Sequence, residues 1–456
     1  MNQLNPTPYL SKYRHETLVS MTESSILYPK TKISINDAIS KIIHEYEPGK
    51  FVFTAAGVLE GNEENREANL FNTVFGRDGL IMLDFYNRIE DKSKFNFPKN
   101  IDLDMLEFYA KYQGQKENIY SEEEAGKIFH EYRDSTDPIA VELKKERGWK
   151  FPYFGGFDTT FHFILQLSNF LSKNPEYKNY TIENKFSNVH YTFEECLDMA
   201  YQYTKQTIKD DLVQYKRKNK NGIEIQSWRD SFDSISTHEG LLPDFNQDLA
   251  LLDLQIVAIN AYEALLSVIS QEEVVELTVH IASLQKGLNK LWVHVDPENG
   301  YYASGIQNGL KFDSVTSSNI FLLSLPYISE SHKRMILNYA YPLLKVTNGI
   351  STLSSLDNRY HISGYHTGNV WLFDNAYCII GLESYREYEK AQLIKDCFFT
   401  ILNKTNCYPE LVGSNDVPNK YIIDIKEIDI KPTNRISQPG QPVQGWSVLS
   451  AAFLLQ

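Results

Sequence analysis

Between residues 248 and 268 an apolar side chain returns at every third or fourth position, and this spacing constrains the fold more than any other feature. Leu251, Leu254, Ala258, Ala261 and Leu265 fall on one stripe, because 3.6 residues per turn bring such positions onto the same helix face. The same period recurs at 36–47, 78–90, 101–113, 158–172, 192–208, 272–291, 315–327, 331–344, 371–385, 388–403 and 443–455. It predicts roughly a dozen helices. Strand-like alternation is sparse, best at FVFTA (51–55) and YIIDI (421–425). Residues 1–35 are polar, carry Pro6, Pro8 and Pro29, and read as an irregular lead-in to one unit over 36–456.

The segments between helices are rich in Gly, Asp, Asn, Trp and Tyr, as in PYFGGFDTT, QSWRDSFDS, DPENGYYASG, SGYHTGNVW and YPELVGSND. Paired helices joined this way predict a closed ring of α-hairpins, all-α with minor β-structure in the loops. Loops at one end would then meet over a central cleft. On pattern alone an elongated helical solenoid competes with the ring.

Composition excludes several function classes. The formal net charge is −14, and no Lys/Arg-rich face offers itself to nucleic acid. No apolar stretch reaches the ~20 residues needed to span a bilayer. The N-terminus shows no basic start followed by an apolar run, which suits a cytoplasmic protein or one exported without a classical signal. Cys196, Cys378, Cys397 and Cys407 are scattered without metal-ligand spacing, so neither a metal nor a cofactor is expected. The 29 Tyr and 25 Phe supply flat faces that suit sugars as well as ordinary cores.

Five loop segments hold the residues that could do chemistry. In FGRDG (75–79), Arg77 and Asp78 can grip a pair of hydroxyls, or Asp78 can simply cap a helix. In WRDSFDS (228–234), Asp230 or Asp233 could be a general acid beside Trp228 and Arg229, or the cluster could cap a helix. Asp253 and Gln255 on the 248–268 helix suit sugar hydroxyls, or each other in a structural network. In YHTGNVWLFDN (365–375), His366 has no second ligand at metal spacing, and Trp371 offers a stacking face. In YPEL (408–411), Glu410 is a candidate base for activating water or an ordinary surface glutamate. No serine nucleophile elbow, phosphate loop, dinucleotide fingerprint or zinc-protease helix is present. Carboxylates are the reagents left, and two of them across a sugar cleft equip a glycoside hydrolase.

Taken in order, these segments resemble the amylo-α-1,6-glucosidase (glycogen debranching) family. More broadly they resemble the glucoamylase, trehalase, family 63 and neutral invertase group of (α/α)₆ barrels. FGRDG is similar to that group's GRD element. GGFDTT, with Asp158, is similar to GSxDxT with Gly156 for Ser, and WRDSFDS to WxDSxD. LLDLQ is similar to the EVQ helix with Asp253 for Glu, and YHTGNVWLFDN to YHxGxVWPxDN with Leu372 for Pro. YPEL and QGWS, which contains Trp446, are similar to the terminal PEL and QAWS elements.

The resemblance spans about residues 70 to 456 and implies an inverting, exo-acting hydrolase releasing glucose from α-glucans, without a cofactor. It implies Glu410 as base. The trehalase and family 63 pattern selects Asp233 as acid, and the debranching and invertase pattern selects Asp230; of the two, Asp233 is preferred and both are kept. Arg77 and Asp78 would anchor the terminal glucose, with Asp158, Trp228, Arg229, Asp253, Gln255, His366, Trp371 and Trp446 around it. Rival expectations are a hydrolase of trehalose or sucrose, a sugar epimerase on the same barrel, and a non-catalytic glucan-binding relative.

Overall fold

The computed structural model describes residues 30–362, 364–414 and 440–456. Helices dominate it, and the strands are short. Apart from the single turn Arg66–Asn69, the helices in chain order are α1 (Ile35–Lys41), α2 (Gly76–Arg88), α3 (Ile101–Lys111), α4 (Pro138–Arg147), α5 (Asp158–Lys173), α6 (Phe193–Lys205), α7 (Leu252–Leu265), α8 (Gln271–Leu288), α9 (Ser318–Phe321), α10 (Glu330–Leu344), α11 (Leu372–Ser384), α12 (Tyr388–Thr405) and α13 (Gly445–Leu454).

Two kinds of helix follow from where the apolar residues fall. In α13, the uncharged segment GWSVLSAAFL is buried at every position but Phe453, which requires protein on all sides. The helices α2, α5, α7 and α11 are likewise buried over most of their length. By contrast α8 buries little more than the stripe Leu277, Ile281, Leu284 and Leu288 and turns its other face to water.

Packing follows this division. The inner helices touch in the order α2–α5–α7 and α9–α11–α13, and α13 packs against α2. Outer helices lie against them as α3 on α2, α6 on α5, α8 on α7, α10 on α9 and α12 on α11, while α1 packs on α13. Across α7 and α9 the link is polar: Ser318 on α9 donates its hydroxyl to Asp253 on α7.

The strands pin helix starts. Strands β1 (Ile43–Glu47) and β2 (Lys50–Phe53) form a hairpin. Further on, β3 (Val74–Phe75) pairs with β4 (Glu131–Tyr132) and runs straight into α2. Strand β5 (Ala250–Leu251) leads into α7. It joins a three-stranded sheet with β8 (Gly305–Gln307) and β9 (Leu310–Phe312), which follow the hairpin β6 (Trp292–Asp296) and β7 (Asn299–Tyr302). Strand β10 (Val370–Trp371) leads into α11 and pairs with β11 (Leu411–Val412).

Several expectations need correcting. The helix anticipated over 36–47 stops at Lys41, and Ile43–Glu47 is a strand instead, folded back by a turn in which Gly49 takes φ +75°. The helix anticipated over 315–327 is one α-turn, Ser318–Phe321, then a 3₁₀ turn, Leu322–Ser324. Pro326 forces Leu325 into extended backbone and ends it there. The unforeseen α4 carries ordinary signals: Asp137 accepts from the Ile139 and Ala140 amides, Pro138 opens the helix, and Gly148 closes it left-handed. DPENGYYASG, read as loop, supplies most of the β6–β7 hairpin. The strand expected at 421–425 and most of the lead-in lie outside the described residues.

Candidate active site

The helices α4, α6 and α10 begin at Asp137, Thr192 and Ser329, whose side chains cap them. The inner helices α2, α5, α7, α9, α11 and α13 begin at Phe75, Phe157, Leu251, Ser317, Trp371 and Gln444 with no side-chain cap. First-turn carboxylates Asp78, Asp158, Asp253 and Asp374 stand at four of these starts, where the helix field favours negative charge. Backbone packing sets the first of them closely. A Cβ on Gly76 would lie 2.1 Å from the Phe129 carbonyl oxygen, so only glycine lets β3 approach and fix the next residue, Arg77.

Arg77 is 2% exposed and links three segments. Its Nε donates to Asp158 Oδ2 at 2.6 Å and its Nη1 to Asp230 Oδ2 at 3.2 Å. Asp158 is buried beneath it, while Asp230 keeps 30% of its side-chain surface open. Burial raises the Asp230 carboxyl to about 6 against the opposing pull of Arg77, with Asp158 adding to the rise. Next along α2, burial raises Asp78 to about 8 despite Arg77, helped by the charges of Asp230 and Glu410. Gln444 donates to Asp78 Oδ1 at 3.3 Å.

Glu410 is 2% exposed, not on the surface. Tyr365 donates its hydroxyl to Oε1 at 2.7 Å, and the Gln441 amide donates to Oε2 at 3.0 Å. The pairing of β10 with β11 sets the register that brings Tyr365 and Glu410 together. Burial raises Glu410 to about 7, with the Asp230 charge adding to it and the two donors opposing. Asp78, Asp230 and Glu410 therefore share one electrostatic field.

An aromatic wall stands beside these carboxyls. His366 is stacked on Trp371 at 4.8 Å, and Trp371 meets Trp228 and Trp446 edge-on at 5.8 and 5.7 Å. Trp446 is itself stacked on Phe373 at 4.1 Å. The Ser231 amide donates to His366 Nδ1 at 3.3 Å, which leaves the ring proton on Nε2. Burial, with Arg229 and Arg77 nearby, holds this ring neutral. Arg77 Nη2, Asp158 Oδ1, His366 Nε2, Gln444 Oε1 and Trp446 Nε1 are buried with no protein partner. Buried polar atoms of this kind are ones that a bound hydroxyl or water can satisfy.

Other candidates turn away from this cluster. Arg229 Nη1 donates to Asp253 Oδ2 at 2.6 Å and Nη2 to Ser317 and Ser318 at 2.8 and 2.9 Å. Arg229 and Asp253 thus clamp the 228–234 loop to α7 and α9. Gln255 is fully buried, bonded to both backbone groups of Val213 and to the Leu251 carbonyl, and is closed off from a sugar. Asp233 is half-buried, and its main-chain carbonyl accepts from Arg359.

Tyr365 and Gln444, overlooked in the sequence, both touch site carboxyls. Each stands beside a residue that was singled out, in YHTG and QGWS. Among the described residues no group of three or more His, Cys, Asp and Glu side chains is arranged to hold a metal ion. No helix among them is long and apolar enough to cross a membrane.

No family model matches the chain, and no curated protein sequence does. Solved structures are similar in shape. A GH63 mannosylglycerate hydrolase from Thermus thermophilus, in complex with glucose, aligns with TM-score 0.58 and 13% identity over 89% of this chain and 96% of that one. With Tris and D-glycerate bound, the same hydrolase gives 0.59 and 11% over 93% and 100%. A wild-type glycosidase gives 0.54 and 11% over 99% of this chain and 98% of its own. At such identities the likeness is one of fold.

Proposed function

We propose that this chain is an inverting, exo-acting glycoside hydrolase that releases glucose from α-glucans, with Asp230 as acid and Glu410 as base. The observation that carries the reading is the buried Glu410, both oxygens fixed by donors, in one field with a partly open Asp230 held by Arg77. Asp230 would protonate the glycosidic oxygen as the bond to the anomeric carbon breaks. Glu410 would take a proton from the water that attacks that carbon from the opposite face, leaving a sugar of inverted configuration and a free hydroxyl on the departing group. Asp230 is preferred to Asp233 because its charge is felt at Glu410, Asp78 and Tyr365. Arg77, Gln444 and Trp446, each with a buried atom that has no protein partner, would hold the terminal sugar together with Asp78.

The ring of six hairpins and a single catalytic unit over 36–456 belong to this proposal. Packing of α13 between α11 and α2 supports both, because an elongated solenoid keeps its first and last helices apart. A second reading, a small glycoside as substrate, draws on the fold shared with a mannosylglycerate hydrolase.

One experiment tests these readings. The protein is incubated with glycogen, maltose, isomaltose, trehalose, sucrose and a glycosylglycerate, and the first anomer released is read by NMR. β-Glucose from an α-glucan is the expected product. α-Glucose as first product, or no release from any substrate, would overturn the proposal. Glu410→Gln should lower kcat by about 10³-fold or more with the fold intact.

A further inference from the structure

Glu122 lies outside the cluster just described, yet the segment that carries Asp230 is built against it. It is 1% exposed and takes φ +57°, a left-handed backbone that a residue with a side chain adopts at a cost. Tyr153 donates its hydroxyl to Oε1 at 2.9 Å. Gln226 Nε2 donates to Oε2 at 2.8 Å and the Lys218 amide at 3.1 Å. The Tyr153 oxygen already accepts the Ile223 amide at 3.0 Å, so its single proton faces Glu122. All three neighbours are donors, and only a group that accepts on both of its atoms satisfies them.

The surroundings are rigid. A Cβ on Gly222 would come within 2.0 Å of Glu122 Oε1. Tyr153 is stacked on Trp149 at 3.9 Å, and Trp149 donates to the Asn221 carbonyl at 3.0 Å. The buried ammonium of Lys127 donates to the carbonyl of Glu122 at 3.2 Å and brings positive charge.

Through its partners Glu122 reaches both ends of the proposed machinery. The Gln226 carbonyl accepts the Phe157 amide at 3.0 Å, setting the start of α5 where Asp158 meets Arg77. Tyr153 pairs through its backbone with Glu131 on β4, the strand that holds β3 ahead of Arg77. Gln226 itself lies four residues before Asp230.

We propose that Glu122 is the positioning residue of the general acid: its carboxylate fixes the entry of the 226–230 segment and so decides where Asp230 delivers its proton. This rests on the reading of Asp230 as the acid, and the test separates the two. Glu122→Gln keeps the shape but turns an N–H₂ toward donors. Gln226→Met breaks the same link from the other side and leaves Glu122 with two donors. Each variant is assayed on the glucoside that the wild type cleaves fastest and on α-glucosyl fluoride, whose leaving group needs no proton.

The expected result is a loss in kcat of about 100-fold on the glucoside, with KM within about twofold and the fluoride reaction within about threefold of wild type. Equal losses on both substrates, or no loss on either, would overturn the positioning role. If Glu122→Gln does not fold, Gln226→Met decides. Asp230→Asn must show the same split between substrates. If it does not, the acid assignment is wrong, and the positioning role falls with it.

Discussion

The phenolic oxygen of Tyr365 lies 2.7 Å from Oε1 of Glu410 and donates its proton there. That donor holds down a carboxyl that burial has raised to about 7, while burial sets Asp230 at about 6. Between these values the pair carries one proton, mostly on Glu410, and the productive form is the minor one with it on Asp230. The dependence of kcat/KM on pH should therefore be a bell with limbs near 6 and 7. Tyr365→Phe removes the donor and raises Glu410 further. Its alkaline limb should move up by about half a unit or more, with a maximum several-fold lower. An unchanged profile would show that the hydroxyl does not act on the base.

Asp78 links the site to stability. Its folded-state value of about 8 lies above that of an exposed carboxyl, so the folded protein keeps a proton that the unfolded chain releases from about pH 4 upward. This contribution is fully present below that range and is lost as pH rises toward 8. Asp78→Asn cannot lose that proton. The variant should melt about 2 °C or more above wild type at pH 8 and level with it near pH 4. Melting curves that stay parallel across pH would contradict the assignment.

Arg229 is 1% exposed and faces Asp253 at 2.6 Å. Arg229→Met should destabilise the protein by about 1–3 kcal/mol, because the half-buried Asp253 carboxylate loses its charged partner and keeps only the Ser318 hydroxyl. Removing both charges in Arg229→Met with Asp253→Asn should recover part of the loss. Urea unfolding of the two variants decides the point, since a double variant worse than the single would mean that the two side chains act separately.

Trp446 Nε1 is buried with no protein partner. Trp446→Phe keeps an aromatic ring against Phe373 and deletes the N–H. Glucose affinity, read by calorimetry, should fall about tenfold, the value of one good hydrogen bond. Unchanged affinity would place that N–H away from the sugar.

Helices were legible in the sequence because burial all round and burial on one stripe leave different records, as in GWSVLSAAFL against the 272–291 run. Two-residue ladders such as β3–β4 and β10–β11 leave almost none, since alternation cannot be read over two residues. Those ladders nonetheless set the register of Arg77 and Glu410. The burial of Glu410 was hidden for the same reason, for it depends on Tyr365 and on the Gln441 amide rather than on YPEL itself. Gln255 misled in the opposite direction: an amide on a helix suggests a ligand until the partners it already has, at Val213 and Leu251, are known.

The seating of α13 between α11 and α2 also bears on the order of synthesis. A ribosome makes Arg77 and Asp78 more than three hundred residues before Gln444 and Trp446. Until then α2 has no neighbour along the flank that α13 covers, and Asp78 lacks the Gln444 amide. The site is thus assembled only when the far end of the chain is in hand, by contacts of very long sequence separation, which form late and slowly. A nascent chain stalled before residue 445 would expose an apolar groove along α2 and α11, the surface for a chaperone to shield until the last helix arrives.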